Sequence, residues 1–337
     1  MKRALTIILL IALLVPAFAG DPARKGTTGA EQLLIPVGAR SIATGGAFLS
    51  NVTGLESIYY NPAGLDVLKR SEGMFSQMSY IADINVTYFA GGTSLGDFGS
   101  LALSFKSLDF GDIPVTTVDN PDGTGATYSP GFITAGLTYS KIITDRVSIG
   151  ATFKVISETI MNTNATGMAI DFGVQYRFEK YLSLGATVKN IGTNMQYTGT
   201  DLEVKTILPG ALPGTKNASY TAVTEPFQIP SFFEMSLAYD YPFNEDNHLA
   251  VAAAFVNNNS FEDEVKLGLE YGFMNNFFIR GGYNLLAENN AQNSYGLTAG
   301  AGIDYKFEGI GFIFDYAFRQ VKDFDPNHIF TVKLYFE

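Results

Sequence analysis

The chain of 337 residues has no cysteine, only two histidines, and no long apolar run after its first nineteen residues. The absence of cysteine removes disulfide scaffolds, thiol catalysis and cysteine-based zinc sites. Two histidines leave little for an imidazole-based catalytic centre. His248 and His328 fall near the ends of different predicted hairpins and read as interfacial strand residues, so no enzymatic activity is expected. Without further apolar runs there is no bundle of membrane helices, each of which needs about 20 such residues. Basic residues number 22 against 33 acidic ones, and the net charge of −11 disfavours nucleic acid as a partner. No metal or cofactor is expected either. The run Asp119-Asn120-Pro121-Asp122-Gly123 has the look of a calcium loop but lacks the later bidentate glutamate, and it reads as a turn.

The N-terminus carries a targeting pattern. Lys2 and Arg3 precede the uncharged run from Ala4 to Val15, and Ala17-Phe18-Ala19 is a small-x-small cleavage site, so residues 1–19 read as a secretory signal peptide.

What fills the rest of the chain is alternation. Tyr295, Leu297, Ala299, Ala301, Ile303, Tyr305 and Phe307 interleave with Gly296, Thr298, Gly300, Gly302, Asp304 and Lys306. The same period of two runs through Ile310, Phe312, Phe314, Tyr316 and Phe318, and again through Phe330, Val332, Leu334 and Phe336. Strands of roughly 9–11 residues, apolar on one face and polar or small on the other, mark a membrane-spanning barrel. Length alone would allow two soluble domains, but repeated hairpins argue for one unit. Fourteen such segments are predicted. They begin near Gly73, Ile84, Phe98, Gly131, Arg146, Ala165, Tyr181, Ser231, Asn247, Glu264, Asn276, Ser294, Gly309 and Asn327. The expected fold is therefore all-β, a transmembrane antiparallel β-barrel of about fourteen strands over residues 73–337, with residues 20–72 as an N-terminal plug in its lumen.

Three patterns orient that barrel. Tight connections at 94–97, 142–145, 179–180, 243–246, 274–275 and 308 alternate with longer ones at 108–130, 157–164, 192–230, 257–263, 286–293 and 320–326. Outer-membrane barrels keep short turns on the periplasmic side, so both termini are placed there. Outward aromatics two apart end the descending strands, as in Tyr176 and Phe178, Tyr239 and Tyr241, Tyr271 and Phe273, and Tyr305 and Phe307, which is where an interfacial girdle belongs. Charged residues such as Lys106, Lys154, Asp171, Arg177, Lys189, Glu234, Glu270, Arg280, Lys306, Asp315, Arg319 and Lys333 fall on the face opposite the apolar rows, the lumen side. Localisation in a bacterial outer membrane, with lipid as the surrounding partner, follows.

Residues 20–72 do not alternate. Within them, 38–65 reads GARSIATGGAFLSNVTGLESIYYNPAGL. Gly45 and Gly46 permit close backbone approach, and Asn61-Pro62-Ala63-Gly64 forms a tight turn. With Gly38-Ala39-Arg40 at its start, this stretch resembles the N-terminal signature of the PorV/PorQ outer-membrane proteins, within the wider FadL-like superfamily of fourteen-stranded barrels. The resemblance implies a plug inside the barrel, with Gly38, Ala39, Arg40, Gly45, Gly46, Asn61, Pro62, Ala63 and Gly64 in structural roles. Tyr60 stands where family members commonly carry tryptophan, and Ser50-Asn51 where they carry acidic residues.

The resemblance also implies two functions. Proteins of the PorV type act in type IX secretion, where the barrel accompanies secreted cargo proteins and other secretion components. The connection 192–230 suits that role, since Leu208, Leu212, Tyr220 and Phe227 make it too apolar for a solvated loop and offer a partner-binding surface; packing on its own rim explains it equally well. The alternative is a FadL-like transporter of long-chain fatty acids or other hydrophobic small molecules, which requires an apolar pocket between plug and wall.

Overall fold

The computed structural model describes residues 26–178, 181–207, 210, 218–288, 290 and 293–336. The expected signal peptide, the turn at 179–180, Leu208 and Leu212 lie outside the described residues.

Fourteen strands form the wall. They are β1 (Ser71–Ser79), β2 (Asn85–Ser94), β3 (Ser100–Asp109), β4 (Gly131–Thr144), β5 (Val147–Ile160), β6 (Thr163–Arg177), β7 (Leu182–Gly192), β8 (Phe232–Pro242), β9 (His248–Asn258), β10 (Glu264–Phe273), β11 (Phe277–Leu286), β12 (Tyr295–Phe307), β13 (Ile310–Val321) and β14 (Asn327–Phe336). Each starts within two residues of its predicted position. Neighbours pair antiparallel, and β14 returns to β1 with Phe336 opposite Ser71 and His328 opposite Ser79. Closure leaves no strand edge unpaired, the condition for backbone to cross lipid.

The facing follows the alternation. Phe312 is 51% exposed and Phe314 47%, while Asp315 between Phe314 and Tyr316 is fully buried and Lys333 is 5% exposed. Glu270, Arg280 and Arg319 are likewise buried. A soluble sheet would invert this arrangement, so the exposed aromatic and aliphatic band is a lipid-facing surface. Arg177 and Lys306 keep the inward parity expected of them but lie at strand ends, where they are exposed, Arg177 at the rim of a cavity that Arg40 and Gln175 also line. At the same end the girdle aromatics touch. Tyr176 and Phe178 have ring centroids 4.7 Å apart, and Tyr241 lies parallel to Tyr239 and meets Phe243 edge to face.

One predicted loop is corrected. The stretch 157–164 is not a long connection, because β5 runs to Ile160 and β6 starts at Thr163. Met161 and Asn162 turn the chain alone, with Met161 at φ 52°. Pairing there continues to Ile160 opposite Thr163, although residues 157–164 are mostly polar on both faces. The turn at Asp119–Gly123 is present, with the Gly123 amide donating to the Asn120 carbonyl.

Residues 28–70 lie against the inner face of the wall. Short helical turns at Glu31–Leu34, Ala39–Ala43, Gly54–Glu56, Ser57–Tyr60 and Pro62–Val67 are joined by bends. The helix Ala39–Ala43 packs on β11 to β14, Pro62–Val67 on β3 to β6, and Gly54–Glu56 on β1 and β2. No turn is long enough to be stable alone, so the wall supplies the stabilisation. Ile35, Ala39 and Ile42 bury against Met78, Val86, Leu108 and Ile329.

Candidate functional site

The N-terminal motif is built by close approach. Gly38 has φ 84°, and a side chain there would run into the Glu56 carboxylate, which accepts the Ser41 amide at 2.7 Å. The Ala39 amide donates to Thr331 Oγ1 at 2.8 Å. Gly45 (φ 65°) and Gly46 (φ 75°) then reverse the chain against β11, where a side chain on Gly282 would strike the Gly45 backbone. Asn61 is wholly buried. Its Nδ2 donates to the Leu49 and Val174 carbonyls at 3.0 Å each, and its Oδ1 accepts the Ala63 amide at 3.2 Å, capping the turn that Pro62 opens. The wall makes room: a side chain on Gly150 would meet the Pro62 carbonyl, and one on Gly173 the Asn61 amide. Ala63 and Gly64 complete the seat, with Ser140 Oγ donating to the Ala63 carbonyl at 3.0 Å. Asn61→Ala is expected to cost about 1–3 kcal/mol, because the Val174 and Leu49 carbonyls each lose a donor, Leu49 keeping that of Gln175 at 3.2 Å. Urea titration of the folded barrel measures this, and an unchanged midpoint would count against the seat.

Charge ties the same segment to the opposite wall. Arg40 grips Glu270 with two hydrogen bonds, of 3.0 and 2.8 Å. Arg280 donates to Glu270 at 2.5 Å and to Asp315 at 2.6 Å. Lys333 lies 3.9 Å from Asp315 and 2.5 Å from Glu56, whose second oxygen returns to Ser41. Three cations and three anions thus form a neutral circuit that leaves the segment at Arg40 and re-enters it at Glu56. Burial works against the Glu56 charge, but Lys333 and the Ser41 amide together hold its carboxyl below the usual carboxylate range.

Two cavities lie on either side of the segment. The larger, about 1090 Å³, opens toward the outer ends of the strands. Its floor is the segment itself (Leu34, Ile35, Ile42, Tyr59, Tyr60). Its sides combine apolar wall and loop residues such as Tyr80, Phe110, Phe132, Phe232 and Leu286 with a charged set, Glu31, Glu158, Glu234, Glu262 and Glu264 against Lys189, Lys266 and Arg319. The smaller, about 290 Å³, is polar and lies at the short-turn end, lined by Arg40, Asn51, Asp145, Arg146, Gln175 and Arg177. The helix Ala39–Ala43 contributes Arg40 to one and Ile42 to the other, so it divides them.

The long connection contributes to the larger cavity. Met195 and Ile229 bury with Ala30, Leu33 and Ile156, and Phe227 packs beside Tyr197 and lines the cavity. Phe227 therefore turns inward, where the apolar floor at Gly29 and Ala30 offers it burial. Tyr220 is half-buried on the outer hairpin Glu203–Thr206 with Ala218–Thr221. Sequence reasoning did not single out Tyr59, Phe232 or Lys189 as a group. A signal existed: Val188 and Ile191 both face out, so the alternation slips between them, and the structure has a bulge there with Lys189 and Asn190 both inward.

No family model matches the chain, and no curated protein does. Solved structures do. The Pseudomonas putida toluene transporter TodX aligns over 90% of this chain and 98% of its own at 13% identity, with a TM-score of 0.57. The CymD monoaromatic hydrocarbon channel aligns over 90% and 98% at 13% identity and 0.54, and a Pseudomonas aeruginosa FadL homologue over 90% and 98% at 13% and 0.54. The likeness is one of fold: the chain is a closed fourteen-stranded antiparallel barrel similar in fold to these channels.

Proposed function

We propose that this protein is an outer-membrane channel that admits hydrophobic small molecules, with residues 28–70 acting as its plug. The observation that carries the reading is the apolar cavity of about 1090 Å³ between plug and outer wall. It is a little above the roughly 300–1000 Å³ usual for small-molecule pockets, and its aromatic and aliphatic side chains offer an apolar surface beside a charged rim. The named cargo of two structural neighbours, toluene and monoaromatic hydrocarbons, is of the class such a cavity suits. Passage inward requires displacement of the helix Ala39–Ala43, which the Arg40–Glu270 pair holds across the path. The test is uptake of a radiolabelled hydrophobic compound by cells with and without the protein. Equal uptake of both a labelled aromatic hydrocarbon and a labelled fatty acid in the two strains would overturn the reading.

The PorV/PorQ reading, a type IX secretion component holding cargo at the cell surface, rests on the 38–65 motif and on exposed Val204, Ile207 and Val223 of the outer connection. It has less support, since Phe227 and Ile229 of that connection are directed into the barrel mouth. Deletion of 208–220 separates the two readings. Loss of a secreted protein from the purified barrel would favour secretion, and unaltered uptake with no lost protein would favour transport.

A further inference from the structure

At the short-turn end of the wall, Glu270 is where the charged circuit holds the N-terminal helix. Its Oε2 accepts Nε of both Arg40 and Arg280, at 3.0 and 2.5 Å, and its Oε1 accepts Arg40 Nη2 at 2.8 Å. His248 stands beside that second oxygen. Its Nε2 lies 3.9 Å from Oε1, too far for a hydrogen bond with Arg40 in place. The position is a built one, because Gly272 on β10 leaves the space the imidazole fills, where any side chain would run into the ring, and the Phe278 ring of β11 lies 6.1 Å away. The His248 side chain is 21% exposed, so water reaches it.

Every element around this ring brings charge to it. Glu270 comes from β10, Arg280 from β11, Asp240 from β8 and Arg40 from the N-terminal segment, while the preceding turn adds the exposed Glu245 and Asp246. Of these, only Arg40 belongs to a part that can leave the wall. With Arg40 in place, a proton on His248 makes a third cation around one carboxylate; with the helix Ala39–Ala43 lifted away, Glu270 keeps Arg280 alone and has an oxygen free for the imidazolium. Asp240 attracts that charge in both arrangements. The imidazole therefore binds its proton more tightly when Arg40 has left, and by linkage a fall in pH through the histidine range, about 6.5, shifts the helix toward release. We infer that His248 is the stand-in for Arg40 on Glu270, and that its protonation favours release of the N-terminal helix from the barrel wall. This deepens the transport reading, in which the same helix must move, but it concerns the helix alone and is read without any transported molecule.

The test uses full-length barrel in lipid nanodiscs. The chain has no cysteine, so Ser41→Cys supplies a single buried thiol on the helix. Its rate of modification by a water-soluble maleimide is divided by that of glutathione at the same pH, which removes the ionisation of the thiol itself. The normalised rate is expected to rise about fivefold or more from about pH 8 to about pH 5.5, as proton affinities differing by about one unit between the two arrangements give. His248→Gln is expected to hold the change within about twofold. Arg40→Met is expected to raise the rate at both pH values and to remove its pH dependence, because the charge that couples the proton to the helix is gone. Heat-modifiable gel mobility establishes that each variant is folded, and deuterium uptake of residues 38–48, corrected for intrinsic exchange, repeats the pH comparison in the unsubstituted chain. A normalised rate that is flat or falls with acid, or a rise that survives His248→Gln, overturns the inference while sparing the transport reading. A thiol that never reacts, with residues 38–48 protected at both pH values, overturns both, since passage requires that helix to move.

Discussion

Replacing Arg280 with methionine is expected to destabilise the folded barrel by about 3–5 kcal/mol, the loss typical when one partner of a buried ion network is removed. Arg280 is the middle of the circuit, joined to Glu270 on one side and Asp315 on the other. Glu270 keeps Arg40 after the change, but Asp315, wholly buried, is left with Lys333 at 3.9 Å. Most of the cost is that stranded carboxylate and not the value of the pair itself. Arg280→Met combined with Asp315→Leu should therefore recover much of the loss. Unfolding in urea from lipid vesicles, followed by gel mobility, reads both variants. A single variant within about 1 kcal/mol of the parent would show that the circuit does not bear on stability.

A charge placed on the outer face should be nearly as damaging. Phe314 lies midway along β13, opposite Ile303 on β12 and Val332 on β14, and is 47% exposed to what surrounds the barrel. Phe314→Arg is expected to cost roughly 2–4 kcal/mol if that surrounding is the bilayer midplane, and Phe307→Arg at the rim only about 0–1 kcal/mol. The comparison of the two in vesicles is the informative measurement. Equal effects at both positions would mean that the apolar rows do not face a membrane. The reversed order would place Phe307, not Phe314, at midplane depth.

The outer face was legible because it is a local property. Each strand shows its lipid side and its lumen side within ten residues, so Phe312 and Phe314 against Asp315 could be assigned without knowing any partner strand. The glycines of the N-terminal motif and Asn61-Pro62 were legible for the same reason, as backbone requirements. The turn at Met161–Asn162 was misjudged because extra strand length outside the membrane has no apolar signature. The inward turn of Phe227 was one of two readings left open, because an apolar loop reads alike whether it faces a partner or its own barrel.

The sequence by itself determined a closed, lipid-facing barrel with its charges inside, since period-two alternation between two solvents needs only neighbours along the chain. Tertiary structure alone decided which charges meet. Arg40 with Glu270, Glu56 with Lys333, and Lys189 beside Tyr59 join residues far apart in the chain. Nothing local encodes such pairs, because they exist only after the ring has closed around the segment and brought opposite walls within hydrogen-bonding distance.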